Sequence, residues 1–490
     1  MTEARRGYTL DPVDSGGLLL GLGALQLAVL GAGGAAALYL GAAVGGGAGV
    51  AVAVTTLVGA SILACWSIDR RPLVAWVIVA GAWLARRAGG VRAGLAPVVG
   101  HTAALPWPPS WPDPPPAPSP GRRRGTPRSW PPPAPSPDRR RGTAPAGIAV
   151  MAAPCGSGEA PMGIVRDRRF GTWAAVLAVT GGSFTLLDGD DQRRRLGTWG
   201  ALLAGLSRPA SPVARIQWLQ RVSPAAVGVL DDLAGPPPGM AGPAAVDYGL
   251  LLADAAAHAR SQDTLVIVAV RSRRGGSDPA TVLRREIRLV QGQLGNADLA
   301  PGPPLDLAAL TAAVRSSPGG GGPWPLATHE TWSALRVDGA WHATFWIAEW
   351  PRVEVGPDFL TPLLLAGSRR VVSMTMAPVP VARAIREVES ARTASLADDE
   401  LRRRAGFLAT ARRLRQSEGV ARREGELADG HAEYRFSGYV TVSGDDRATL
   451  EESCAEIESA AQAAHLDLRR LWGRQAEAFT WTQPLARGLA

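Results

Sequence analysis

From Ser15 to Ile68 the chain runs for 54 residues without a charged side chain. No other stretch restricts the possible folds as strongly. About 20 apolar residues cross a bilayer as a helix, so a run of this length predicts two spans. Leu18–Leu40, rich in Leu, Ala and Val, is the first, and Ala51–Trp66 with its flanks the second. Gly45-Gly46-Gly47-Ala48-Gly49 lies between them as a flexible break, which predicts a tight hairpin. Gly17 and Gly21 stand in the small-xxx-small spacing that lets helix backbones approach closely. A hairpin buried in a soluble protein fits less well, because soluble helices carry a polar face and these segments have none.

Arginine sets the expected orientation. Arg5 and Arg6 precede the first span; Arg70, Arg71, Arg86, Arg87 and Arg92 follow the second. Positive residues at both ends predict a multi-pass protein of the inner (plasma) membrane with both termini cytoplasmic. A cleaved signal peptide is not expected, since the apolar run is too long and continues into a second span. Pro72–Leu84 is apolar, carries Trp76 and Trp83, and is shorter than a span. It predicts an interfacial amphipathic helix within residues 69–95, with Arg70, Arg71, Trp76, Trp83, Arg86 and Arg87 at the membrane surface.

Composition excludes some chemistry. All 52 basic positions are arginine, and no lysine occurs. A Walker A phosphate loop needs its lysine, and so does a Schiff-base mechanism. Abundant Arg, Ala and Gly with a single Asn, Asn296, point to a GC-rich genome, which also accounts for arginine in place of lysine. Cys65, Cys155 and Cys454 are scattered, without Cys-x-x-Cys, so no disulfide framework is implied. His329, Glu330 and His342 lie close in sequence, but no third ligand is spaced for zinc, and they read as ordinary strand residues. Gly31-Ala32-Gly33-Gly34-Ala35-Ala36 satisfies GxGxxA, yet no acid follows before Asp69, so glycine in a membrane helix is the better reading. No cofactor, metal or catalytic residue is expected.

At 490 residues the chain predicts two or three domains. After the arm (1–15), the helices (16–68) and the interfacial segment (69–95) comes a Pro/Arg-rich linker (96–162) with an internal repeat. Ser110-Trp111-Pro112 leads to Arg122-Arg123-Arg124-Gly125-Thr126, and Ser129-Trp130-Pro131 to Arg139-Arg140-Arg141-Gly142-Thr143. Proline at this density makes an extended spacer that buries no core. Two readings stand for it. It is a basic segment held near anionic lipid, worth about 1 kcal/mol per arginine, or a duplicated linker without a partner. Specific nucleic-acid binding is not expected of arginine triplets that lack a folded reader.

Residues 163–316 predict a first α/β cytoplasmic domain. Strands at Trp173–Val179 and Ser183–Leu187 flank Gly181-Gly182; Val213–Arg221 and Thr264–Val270 are further strands, among helices at Asp190–Leu206, Ala244–Ala259, Thr281–Leu294 and Leu305–Val314. A Gly-rich linker (317–328) follows. In 329–490, strands at Thr331–Val337 and Trp341–Trp350 flank the hairpin signal Asp338-Gly339. Arg369–Met376 is a strand, and Arg383–Glu426 a charged helical arm that Ser395 and Asp398, as a capping box, divide into two antiparallel helices. Glu433–Val442, Asp446–Ala464 and Leu466–Leu471 then read strand, helix, strand. The fold class is α+β: a transmembrane helical hairpin followed by two ferredoxin-like sandwiches, the second with a long helical insertion.

The Trp332 hairpin, the strand ending at Pro378-Val379-Pro380, the charged arm, Tyr434–Val442 and the ending Phe479-Thr480-Trp481-Thr482-Gln483-Pro484-Leu485 resemble the amino-terminal, non-ATPase domain of type IV conjugation ATPases. The front end is similar to small two-span PrgI-type membrane proteins, whose hairpin is followed by an arginine and a Trp-bearing stretch, here Arg70-Arg71-Pro72-Leu73-Val74-Ala75-Trp76. Together they resemble an actinobacterial integral membrane family that joins these parts; the repeated linker departs from it. The resemblance implies a non-catalytic inner-membrane component of a type IV-like conjugation or secretion machine. Its expected partners are the lipid bilayer, a separate cytoplasmic ATPase and further copies of itself. A type VII secretion component of the EccE type is the nearest alternative, and a membrane-bound enzyme the alternative of another class. Asp188, Asp190 and Asp191 offer that enzyme an acid cluster, but a helix N-terminus explains them more simply.

Overall fold

In the computed structural model the described residues are 24–68, 71–88, 95–97, 143–145, 147–153, 161–182, 184–208, 211–224, 242–258, 260–271, 278–314, 327–351, 353–404 and 411–489. Gly17, Gly21, Arg70 and nearly all of the Pro/Arg repeat lie outside them. Two helices, α1 (Ala24–Val44) and α2 (Gly46–Cys65), are long and apolar enough to cross a membrane. Neither shows a polar face: Leu38, Val50, Val54 and Leu57 stand exposed. The chain turns between them at Gly45 and Gly46, with φ of 66° and 60°, a backbone that glycine adopts without strain. Beyond the turn the backbones nearly touch. A side chain on Gly49 would collide with the Gly41 carbonyl, and one on Gly33 with the Ala60 methyl. At the far end the Gln26 amide donates to the Ala64 carbonyl at 2.8 Å. The close approach expected of small residues is therefore made at Gly33, Gly41 and Gly49.

A short antiparallel pair, β1 (Ser67–Ile68) and β2 (Arg71–Pro72), leads into α3 (Leu73–Ala88). Next, β3 (Leu95–Pro97) pairs with β4 (Thr143–Pro145), Pro97 opposite Thr143. The segment expected to act as a spacer thus returns to its own starting point. Its far end also belongs to a sheet, since β5 (Ile148–Ala153) and the start of β6 (Met162–Asp167) fall within 96–162.

That sheet has twelve strands, every pairing antiparallel. After β5 and β6 come β7 (Thr172–Gly181), α4 (Gly189–Leu206), β8 (Val213–Pro224), α5 (Pro243–His258), β9 (Arg260–Arg271), α6 (Pro279–Asn296), β10 (Leu299–Pro304) and α7 (Leu307–Val314). The remainder is β11 (Thr328–Glu330), β12 (Leu335–Val337), β13 (Ala340–Glu349), α8 (Thr361–Leu364), β14 (Arg370–Pro378), α9 (Val381–Arg404), α10 (Ala411–Ala428), β15 (Tyr434–Gly444), α11 (Arg447–Ala463), β16 (Asp467–Arg470) and α12 (Gln475–Phe479). Two quartets share one strand order, β10-β7-β9-β8 and β16-β13-β15-β14. They join through β8 and β14, in register from Arg370↔Val222 to Met376↔Ile216. The two domains expected from the sequence therefore share a continuous sheet.

Local chemistry explains the helix starts. Asp188, Asp278 and Asp446 each accept a backbone N–H three residues on, at 2.8, 3.0 and 2.8 Å, which satisfies a donor that the helix leaves open. One face of the first quartet packs Ala175, Leu177, Val266 and Val268 against Leu202 of α4 and Leu283, Ile287 and Val290 of α6. The second packs Phe345, Ile347, Val440 and Val442 against Leu450 and Ile457 of α11, and Trp218 touches both cores. On the opposite face Val176, Leu219 and Ile267 meet Leu310 of α7 and Leu485 near the C-terminal end. Covered on both sides, β9 reads as an unbroken apolar run, Leu265–Val270.

Three local expectations are corrected, and one strand is added. Within the strand expected over Ser183–Leu187, Phe184–Leu186 is a 3₁₀ turn, because the chain must leave the sheet at once to start α4 after its cap, Asp188. Thr331–Val337 breaks into β11 and β12 around Trp332 and Ser333, where the Ala334 N–H donates to the Thr331 hydroxyl at 3.0 Å. α9 runs on through Ser395 and Asp398 to Arg404, and α10 begins at Ala411, so the two helices do not divide at the capping box. Proline-rich Leu299–Pro304 pairs with β7 as an edge strand, where a missing N–H can face away from the ladder.

Candidate functional site at the junction of the apolar helices and the sheet

The apolar pair is tied to the sheet through α3. The Leu73 N–H donates to the Trp66 carbonyl at 2.9 Å, so α3 begins where α2 ends. The Trp76 ring lies 6.3 Å from that of Trp332 and 6.5 Å from that of Trp472, and Trp83 meets Trp332 edge-on at 5.5 Å. Arg86 donates to the Gly473 carbonyl, and Arg87 lies over the Trp83 ring at 5.1 Å. The receiving surface is built to hold Trp332. Gly473 donates to the Trp332 carbonyl at 2.7 Å. Its φ is +68°, and an added Cβ would sit 2.6 Å from the Trp332 ring, so glycine is required twice over.

Behind this cluster Arg470 stacks on Trp472 at 5.1 Å, donates to the Ser333 carbonyl at 2.8 Å, and grips Glu451 with two bonds of 2.8 and 3.0 Å. That guanidinium holds the Glu451 carboxyl below its usual value. Burial instead raises the Glu330 carboxyl, against the pull of the Ala476 N–H, 2.9 Å away, and of Arg86. The junction occupies the outer edge of the second quartet, where β12 and β16 both pair with β13.

A second constellation crosses the sheet on the face away from α4, α6 and α11. The Gln217 amide donates to Ser373 Oγ at 2.8 Å and to the carbonyls of Trp481 and Gln483 at 3.1 and 3.0 Å, and accepts from the Ala486 N–H at 2.8 Å. The hydroxyls of Thr344, Thr441 and Thr482 form a buried chain with spacings of 2.8 and 2.7 Å. Thr375 donates to the Arg487 carbonyl at 2.7 Å, and Arg487 pairs with Asp167 at 2.7 Å, both side chains buried. The Phe479–Leu485 stretch is thus part of a strap bound to both quartets. His342, in β13, lies beneath it, with Nδ1 2.8 Å from Ser443 Oγ and the ring 4.9 Å from that of Phe479.

Of the residues expected at a membrane surface, Trp76, Trp83 and Arg86 lie against the sheet, and Arg87 lies beside Trp83. Arg71 falls in β2. Trp332 was named from the sequence only for its hairpin, and Trp472, Gln217 and Ser373 were not singled out. The signal for the last two was there: a polar residue at an inward position of an otherwise apolar strand needs a buried partner. Asp188, Asp190 and Asp191 serve α4 itself, Asp188 as its cap and the others paired with Arg193 and Arg194. Among the described residues no group of three or more His, Cys, Asp or Glu is placed to hold a metal ion. Comparison of the chain with protein-family models and with curated proteins finds no match.

Proposed function

We propose that the chain is a non-catalytic inner-membrane component of a type IV-like conjugation or secretion machine, which anchors and docks a separate cytoplasmic ATPase. In this reading α1 and α2 cross the bilayer as a hairpin, both termini are cytoplasmic, and each quartet with its crossover helices is a ferredoxin-like sandwich. The α3 junction is the observation that supports it most. It couples two bilayer-length helices to a sheet whose ten-strand path extends ~40 Å from that edge. The result is an anchored platform, on which a second copy adds through a sheet edge.

The α9–α10 arm supplies the docking element. Over its 24 residues α9 rises ~36 Å. Ion pairs brace its base: Arg383 with Glu387 at 2.7 Å, Arg392 with Glu424 at 2.6 Å, and Arg423 with Glu433. In sequence, Arg402, Arg403, Arg404, Arg412, Arg413 and Arg415 fall at the end of α9 and the start of α10, and no acid occurs between positions 402 and 415. Such a basic run selects an acidic protein surface by charge. The test is recovery of the full chain from native membranes in mild detergent. An ATPase encoded beside it co-purifies with the wild type and is lost when those six arginines become glutamate. Repeated recovery of the wild type without any ATPase overturns the reading.

A further inference from the structure

We infer that α3 is a two-faced coupler: Trp76, Trp83 and Arg86 belong to the sheet, while the opposite, aliphatic face lies against lipid at the boundary of headgroups and acyl chains. The inference deepens the proposed function and rests on its membrane reading.

The two faces separate at helical spacing. Trp76, Trp83 and Arg86 are half-buried on the side of the junction. Val77, Ile78 and Leu84 are 58%, 52% and 58% exposed, and Gly81, Ala85 and Ala88 fill the same side. No charge interrupts that face. A water-facing helix would place its arginines there; this one turns Arg86 inward to a backbone carbonyl.

Lipid is the occupant that the chain geometry supplies. α3 starts one hydrogen bond from Trp66, at the end of α2, and so begins at the depth where α2 leaves the bilayer. Trp66, 62% exposed, marks that corner, and a tryptophan there suits the headgroup level. The exposed aliphatic face of α3 therefore starts beside the end of α2, whose own exposed face is aliphatic, with Asp69, Arg70 and Arg71 between the two helices in sequence. An apolar face of this kind sinks about 5–10 Å into the interface. The tryptophans of α3, which composition alone would assign to the headgroups, instead clamp the sheet to the helix.

Spin labelling of the full chain tests this. Cys65, Cys155 and Cys454 are replaced by alanine, and the protein is reconstituted in vesicles of phosphatidylcholine with phosphatidylglycerol. Nitroxides are placed one at a time at Val77→Cys, Ile78→Cys and Leu84→Cys, at Val54→Cys in α2, and at Thr393→Cys on the exposed arm. Collision with oxygen is compared with collision with a water-soluble nickel chelate. The expected oxygen-to-chelate ratio at the three α3 sites is several-fold above that at Thr393 and approaches that at Val54. A ratio at the α3 sites equal to that at Thr393, with Val54 still lipid-like, overturns the inference and leaves the membrane reading standing. Shielding from both reagents with dipolar broadening assigns the face to a second copy and also overturns it. A water-like Val54 overturns the membrane reading and the inference together.

Discussion

The two quartets share a strand order but differ in where they spend chain length. In the first, an 18-residue helix, α4, joins the first two strands; in the second, the four-residue α8 does so. The connection between second and third strands carries α5 in one and the α9–α10 arm in the other. The second quartet also receives α3. A four-stranded core with helices on one face tolerates such variation because insertions at strand ends leave the pleat and its packing untouched. The conserved arrangement is the buried one, and the differences that bear on function sit at the rims.

The strap binds the two quartets, so its removal perturbs both. Arg487→Met removes the ion-pair partner of buried Asp167, which keeps only the Arg169 and Phe170 N–H groups and the more distant charge of Arg215, and is expected to lower stability by about 3 kcal/mol. Denaturant unfolding of the full chain in detergent should keep one transition, shifted to lower denaturant. Two resolved transitions would mean that the quartets are independent. Asp167→Asn in the same chain should recover part of the loss.

At the junction, Trp332→Ala removes the ring that Trp76 and Trp83 share, at a cost of about 2 kcal/mol for a half-buried aromatic. It acts on the second quartet alone. The distance distribution between spin labels at Val54 and Thr393 should broaden, while unfolding of the sheet shifts little. An unchanged distribution would show that α3 is held by other contacts.

His342 gives the second quartet an acid sensitivity of its own. Burial, with Arg369 nearby, pushes its imidazole down from 6.5 to about 3. The unfolded chain takes up this proton first, so the contribution is intact above about pH 6.5 and is lost as pH falls towards 3. The slope is at most about 1.4 kcal/mol per pH unit. His342→Phe should flatten that part of the stability profile relative to the wild type, and an unchanged slope would refute the assignment.

The smallest effect belongs to the first quartet. Asp188→Ala removes the cap of α4 and should cost about 1 kcal/mol, with Asp188→Asn nearly silent. Hydrogen exchange should quicken in the first turn of α4 and not in α11.

Much of the local structure was legible because its causes are local. The uncharged run of Ser15–Ile68 calls for helices whose polar backbone is satisfied internally, and α1 and α2 follow. Asp188, Asp278 and Asp446 announce their helices by cap chemistry. Leu265–Val270 announces a strand buried on both sides. The failures arose where two local signals competed. Ser395 and Asp398 have the spacing of a capping box, but alanine and leucine around them favour a helix that simply continues.

The joining of the quartets, the inward turn of the tryptophans and the strap were decided only in three dimensions. Val222 and Arg370 pair across 148 positions of sequence, and neither edge strand carries a mark naming its partner. Trp76 and Trp83 look like headgroup anchors until Trp332 and Trp472 arrive from the other end of the chain. Pleat and helical period determine which side chains share a face. Which surface that face meets depends on contacts between distant segments, and those form only when the whole core closes.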